Sequence, residues 1–277
     1  REFMRVKLYL LSIIFILGAA IFATDFGNPA DMPPKGSIEA AADYSKHFIY
    51  TENDAIHSQF ISQRLLVRVG YVFYKWLQLS LFVGGADGDL ITENFCGGSR
   101  INGSWELSPG AGIRIKPPLK FDALGMRFHL LIDGRYLFIR SRLEKFQSNN
   151  WEYDGIVHLN EFDAAGLAVG YMRKFNLSFY AGIGMGFVWA EMPYTRSRTV
   201  VVGSQTVTQT EDGTEMLGVS PSTKGKFFPH MVFPLFGVNW HFAEGYAFSV
   251  ETYLADIQQI GDMNPKVGFS IGLSNYK

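Results

Sequence analysis

The sequence predicts an all-β protein, an antiparallel up-and-down β-barrel that crosses a membrane with ten strands, inside a range of eight to twelve. Three observations predict it. Segment after segment alternates with a period of two. One parity is large and apolar while the other is small or charged. The links between segments alternate between short and long.

The alternation is clearest in "YAGIGMGFVW", residues 180–189, where Ala181, Ile183, Met185, Phe187 and Trp189 share one parity and Gly182, Gly184, Gly186 and Val188 the other. Successive strand side chains point to opposite sides, so this is a strand with grease on one face and almost nothing on the other. A strand of a soluble sheet would show polar residues to water and few glycines.

The remaining segments follow in chain order. The first three span residues 37–50, 62–74 and 77–86, the fourth 104–116 and the fifth 126–140. The sixth and seventh span 156–172 and 177–192, and the last three span 227–242, 246–256 and 265–275. Links at 75–76, 173–176 and 243–245 are tight, that at 117–125 moderate and that at 257–264 intermediate. Those at 51–61, 87–103, 144–155 and 193–226 are long. An even number of antiparallel strands with short turns at one end and long loops at the other describes an outer-membrane barrel. A sheet can cross hydrocarbon only by closing on itself, because every backbone group there must be paired within the protein.

On this reading the large parity faces lipid: Leu65, Val67, Val69, Tyr71 and Phe73 in the second strand, Leu77, Leu79, Leu81 and Val83 in the third. The eighth offers Val232, Phe236, Val238 and Trp240, and the tenth Val267, Phe269, Ile271 and Leu273. Aromatics gather at two heights. Tyr71, Phe73, Tyr171, Trp240 and Phe242 fall at the short-turn end, and Trp105, Phe138, Phe187 and Trp189 at the long-loop end, as two interfacial girdles.

The N-terminus points to export. Arg5 and Lys7 follow Met4, then an apolar run to Phe22 too short to span a bilayer, then small residues that suit cleavage after Ala20 or Ala23. The domain reading is a signal peptide at 1–23, a short segment at 24–36 and the barrel at 37–277. A single cysteine, Cys96, permits no internal disulfide. A net charge of -1 gives no support to nucleic-acid binding.

The inward parity carries the candidate chemistry: Glu39, Asp43, Arg68, Glu106, Arg114, Arg127, His129, Asp133, Arg135 and Glu251. Acids and arginines are nearly balanced, and the planar guanidinium suits buried carboxylates. Ten strands leave a bore that side chains can fill. The expectation is a salt-bridged plug; the alternative is a narrow conduit lined by the same residues. No metal-ligand spacing occurs and no cofactor is expected.

The final segment "KVGFSIGLSNYK" resembles the terminal strand of bacterial outer-membrane β-barrel proteins, and the architecture resembles theirs over the whole mature length. It departs from that pattern in ending on Tyr276-Lys277, with Tyr276 off the parity of Phe269 and Leu273. The resemblance implies partnership with the outer-membrane bilayer and the barrel-assembly machinery. Asp87-Gly88-Asp89 looks like the D-x-D of the omptin proteases, but that family's D-x-H is absent, the nearest pairings being Asp54 with His57 and Asp154 with His158. Around His47, His129, His158, His230 and His241 no motif of a lipid-deacylating barrel occurs. The functional expectation is therefore a non-enzymatic structural protein, adhesin or surface receptor. A small-solute pore is the alternative, and a surface hydrolase the second. The 193–226 link is the expected site for an extracellular ligand, since "TVVVGSQTVTQT" signals a hairpin about Gly203-Ser204 that continues the seventh strand.

Overall fold

The computed structural model describes residues 32–53, 56–92, 97–123, 126–202, 204–220, 232–244, 246–255 and 266–276. The signal peptide, most of the 24–36 segment, Cys96 and the part of the long loop after Ser220 lie outside the described residues. So do the side chains of Val232, Val267 and Phe269.

Sixteen strands are present among the described residues: β1 Ile38–Asn53, β2 Ile56–Tyr74, β3 Leu77–Ala86, β4 Asp89–Thr92, β5 Arg100–Ile101, β6 Glu106–Leu107, β7 Gly110–Ile115 and β8 Lys120–Ala123. They continue with β9 Met126–Arg142, β10 Phe146–Ser148, β11 Trp151–Met172, β12 Leu177–Val202, β13 Gln205–Ser220, β14 Val232–Ala243, β15 Tyr246–Ala255 and β16 Lys266–Tyr276. Ten of them form a circuit of antiparallel neighbours, β1-β2-β3-β7-β9-β11-β12-β14-β15-β16, which returns to β1. The return runs from Glu39↔Tyr276 to Lys46↔Phe269. These ten are the ten segments expected from the alternation. No helix among the described residues is long and apolar enough to cross a membrane, which has no bearing on a chain that crosses with strands.

The long links differ from expectation. Between β1 and β2 there is no open loop, because pairing continues to Asn53↔Ile56. The 144–155 link is a β10–β11 hairpin whose turn residues, Asn149 and Asn150, take φ of 50° and 64°, the left-handed pair that a two-residue turn between twisted strands requires. In the 87–103 link, β4 pairs with β2 and β5 with β4. Above the membrane neither parity has to be apolar, so the two-faced marker fades while the backbone ladder continues. The fourth segment departs in the opposite sense. Ser108 and Pro109 break it into β6 and β7, and proline has no N–H to give the ladder. The Pro109 carbonyl still accepts from Phe138 N at 3.0 Å.

The exterior is an apolar belt. Leu65, Val67, Val69, Tyr71 and Phe73 of β2, Leu79, Leu81 and Val83 of β3, and Ile183, Met185, Phe187 and Trp189 of β12 are all exposed. Their inward neighbours are buried or half-buried, so the packed core lies inside the circuit. At the loop end it is apolar, with Phe60, Leu90, Leu137, Leu159 and Leu217 fully covered. Toward the turn end a second apolar group holds Leu131, Leu167, Val169, Tyr180 and Leu235. Charged side chains fill the space between them.

Leu81, in the middle of β3, and Val201, near the ribbon tip, are equally exposed at 69%. Only Leu81 lies in the belt. Leu81→Arg is expected to lower folding stability in lipid bilayers by about 2–4 kcal/mol, whereas Val201→Arg stays within about 0.5 kcal/mol. Denaturant titration in vesicles measures both, and equal effects would contradict the membrane assignment of β3.

Candidate functional site

Two places combine chemistry with a rigid frame, the charged interior and the loop end. Inside, registers bring β1, β2, β3, β7 and β9 together as a ladder of ion pairs. Arg68 of β2 donates to Glu39 of β1 at 2.7 Å, and Gln78 of β3 donates to the other oxygen of the same carboxylate. Arg114 of β7 lies 3.8 Å from Glu39 and gives Asp133 of β9 two hydrogen bonds, at 2.7 and 3.1 Å. Gly70, opposite Glu39, leaves the room that the Gln78 amide occupies.

A second group lies beside it. Arg64 of β2 reaches across the bore to Glu161 of β11 with a two-pronged contact at 2.6 and 2.9 Å, and the guanidinium is fully buried. Arg135 of β9 holds Asp163 at 2.7 and 3.0 Å and Glu161 at 3.2 Å. Planar forks matched to carboxylates are the arrangement that compensates a buried charge.

Of the residues expected on the inward face, Glu39, Arg68, Arg114 and Asp133 are brought together, and Arg135 joins the second group. Asp43 and Glu251 are buried on β1 and β15, and His129 is half-buried on β9. Two fall outside the network. Arg127 is an exposed partner of Asp122, at the turn-end β8–β9 hairpin beyond the bore. Glu106 lies before the break at Ser108-Pro109 and pairs with the partly exposed Arg140 at 3.1 Å. Arg64, Glu161 and Asp163 went unremarked in the sequence. Arg64 shares the parity of Arg68, which was signal enough. Glu161 and Asp163 alternate with Asn160 and Phe162, where neither face is uniformly apolar.

The expected girdle residues lie on the outside. Tyr71, Phe73, Tyr171, Trp240 and Phe242 are exposed at the turn end, with Tyr71 and Phe73 edge to face at 4.7 Å. Trp105, Phe187 and Trp189 are exposed toward the loop end, while Phe138 is half-buried beside His158.

At the rim, Asp87 accepts from Gln63 N at 2.5 Å and Gln63 Nε2 at 3.2 Å. Asp89 accepts from Gly103 N at 2.7 Å and from Arg100. Burial pushes the Asp87 carboxyl above the usual carboxylate range, against the hydrogen bonds from Gln63. These carboxylates thus tie the β4–β5 excursion to the wall. The two Asp/His pairings noted in the sequence do not form a pair in the case described: His158 Nδ1 is 3.3 Å from Glu191, and Asp154 is 3.7 Å from Arg142.

The loop end is dominated by β12 and β13, an antiparallel ribbon paired from Val188↔Ser220 to Val202↔Gln205. The expected hairpin is present, and β12 continues unbroken through the wall into it over 26 residues. Where β14 stops pairing, at Met185↔Val232, β13 takes its place beside β12, and it meets β1 at Glu52↔Val219. Arg196 and Arg198 lie over the buried Trp151 ring at 4.6 and 4.5 Å, Arg196 is held by Glu211 at 2.6 Å, and Tyr153 stacks on Phe146. These contacts fix the base of the ribbon. Its tip carries the exposed Val201, Val202 and Val207.

No family model matches the chain, and no curated protein matches it. Solved structures similar to it are outer-membrane β-barrels. The translocator domain of the autotransporter NalP from Neisseria meningitidis is 10% identical, with 90% of each chain covered and a TM-score of 0.44. An outer-membrane channel from Pseudomonas putida F1 is 8% identical over 92% of this chain and 100% of that one, with a TM-score of 0.40. The attachment invasion locus protein Ail of Yersinia pestis is 10% identical over 88% and 99%, with a TM-score of 0.31. The apolar belt, the circuit of pairings and the aromatic girdles give this chain the architecture of a bacterial outer-membrane barrel.

Removing one member of a buried pair strands the other. Arg64→Ala is expected to cost about 3–5 kcal/mol of stability, and Arg127→Ala, in an exposed pair, at most about 1 kcal/mol. Replacing both partners, Arg64→Met with Glu161→Leu, should recover most of the loss. Equilibrium unfolding in detergent resolves the three cases.

Proposed function

We propose that this chain is an integral outer-membrane protein with a filled bore and a non-enzymatic, surface-binding role, reached by its partners through the β12–β13 ribbon. The observation that carries the reading is the ribbon itself. A membrane strand needs about 9–11 residues, and β12 has 26. Its extra length projects β-branched residues from a base locked by Trp151, Arg196 and Arg198. Exposed elements on a rigid scaffold are where binding resides. The apolar group around Phe60, Leu90 and Leu217 supports a closed rather than conducting interior. In this reading the short turns and both ends of the barrel face the periplasm. The barrel-assembly machinery inserts the chain, and the ribbon meets an adhesive or receptor partner outside.

A narrow conduit is the second reading, favoured by the run of buried polar side chains on β1, β14 and β15. Conductance separates the two: the refolded protein in planar bilayers should show no current steps, and reproducible steps would favour the conduit. An epitope inserted after Ser204 should be labelled on intact cells, and deletion of residues 199–208 should leave the heat-dependent gel shift while removing cell-surface adherence. Labelling only after lysis would reverse the orientation and remove the basis for a binding role.

A further inference from the structure

The ribbon has an open edge. β13 has β12 along one side. On its other side it meets β1 at Glu52↔Val219, and among the described residues no strand pairs there with Gln205–Glu215. Residues 204–212 are exposed throughout. Every second residue of an antiparallel strand turns its N–H and C=O away from a given neighbour, so this edge is a row of ladder groups without a ladder. Edge strands are ordinarily blunted by charge, proline, a bulge or brevity. Over Gln205–Thr210 β13 has neither charge nor proline, and its register with β12 runs without a shift.

The order of the residues says what fits. Gln205-Thr206-Val207-Thr208-Gln209 reads the same in both directions. A second copy laid antiparallel about Val207 therefore sets Val207 opposite Val207, Thr206 opposite Thr208 and Gln205 opposite Gln209, an isologous contact in which each residue meets its like. Threonine pairs and β-branched apolar pairs are favourable cross-strand neighbours, and Val207, 44% exposed, gains cover.

The acids point to the same register. In it Glu211, Asp212 and Glu215 lie past the paired stretch. Centres farther along the strand, at 211, 212 or 213, would set Glu211 against Glu211, Asp212 against Asp212, or Glu211 against Glu215. A parallel, in-register pair would set all three acids beside their own copies. Like charges directly opposite are destabilising, so charge selects the antiparallel pair centred near the tip.

That choice fixes where the second copy sits. β12 leaves the wall where β14 stops, at Met185↔Val232, and carries the ribbon away from the membrane. Two chains in one membrane point their ribbons the same way and can pair them only in parallel. An antiparallel pair joins ribbons that point toward each other, from facing surfaces.

We propose that β13 pairs with β13 of a second copy of this chain on a facing cell surface, antiparallel about Val207, and so holds cells together. The proposal rests on the surface-binding reading of the ribbon and names its partner. A ladder over residues 204–210 is small beside a stable interface. The contact is weak singly and acts through many copies arrayed on each surface.

The test is the settling of cells that carry the full chain. Cells displaying it should clump and settle, and fluorescent cells without it should stay out of the clumps, a readout that needs no variant. Val207→Lys and Val207→Glu each set a charge opposite itself, so either variant alone should lose settling. Mixing cells of one variant with cells of the other should restore it, and the heat-dependent gel shift reports that both fold. Native cells that stay dispersed while an epitope after Ser204 is labelled on them would overturn the second copy as partner and leave the surface-binding reading standing; absence of labelling would remove both. Clumps that draw in cells without the chain, a variant that settles alone, or a mixture of folded variants that stays dispersed would each overturn the proposal.

Discussion

The constraint on which this structure depends is the pairing of every backbone N–H and C=O inside hydrocarbon. Water is not there to satisfy an open edge, so the sheet must come round on itself. The β1–β16 ladder does this by joining Glu39 to Tyr276 across nearly the whole chain. Closure fixes the bore, and ten strands make it narrow enough for side chains from opposite walls to meet. Arg64 and Glu161, on β2 and β11, do meet. The ion pairs are thus a consequence of closure, since charges confined in so narrow a space must find partners or remain neutral.

Closure also explains why the two faces differ in kind. The outer face sees lipid and tolerates only bulk and grease. The inner face is crowded, so glycine, alanine and serine recur where a large side chain from the neighbouring strand leans over the wall. Gly237 beneath Tyr180 and Gly70 beside Gln78 are examples. A glycine weakens an isolated strand, but here the space it leaves is filled by a neighbour.

Much of this was legible in the sequence because lipid imposes a strict rule. The ten wall segments, the belt residues of β2, β3 and β12 and the ribbon at Gly203-Ser204 all follow from alternation and turn chemistry. Legibility ended where the rule ended. Beyond the membrane both parities may be polar, so the extensions of β1, β2 and β11 read as loops. Inside the bore, Arg68 and Arg114 could be placed on a face, but their partners on the neighbouring strands, Glu39 and Asp133, follow only once the register between those strands is known, and the Arg64–Glu161 pair across the bore depends on the stagger of strands distant in sequence. Glu106 was misplaced for a local reason, as a proline interrupts its strand and carries the residue out of the network.

Strand β12 runs without a break from the turn-end residue Leu177 to Val202 at the tip of the ribbon. Its ladder bonds to β11 and β14 lie across that direction. A pull applied at the tip is therefore transmitted along the strand and shared among many bonds at once, rather than opening them one after another as peeling a hairpin sideways would. The barrel wall is in this sense a mechanical root. Whatever the tip holds, the connection to the membrane resists tension as a lap joint does, through its length.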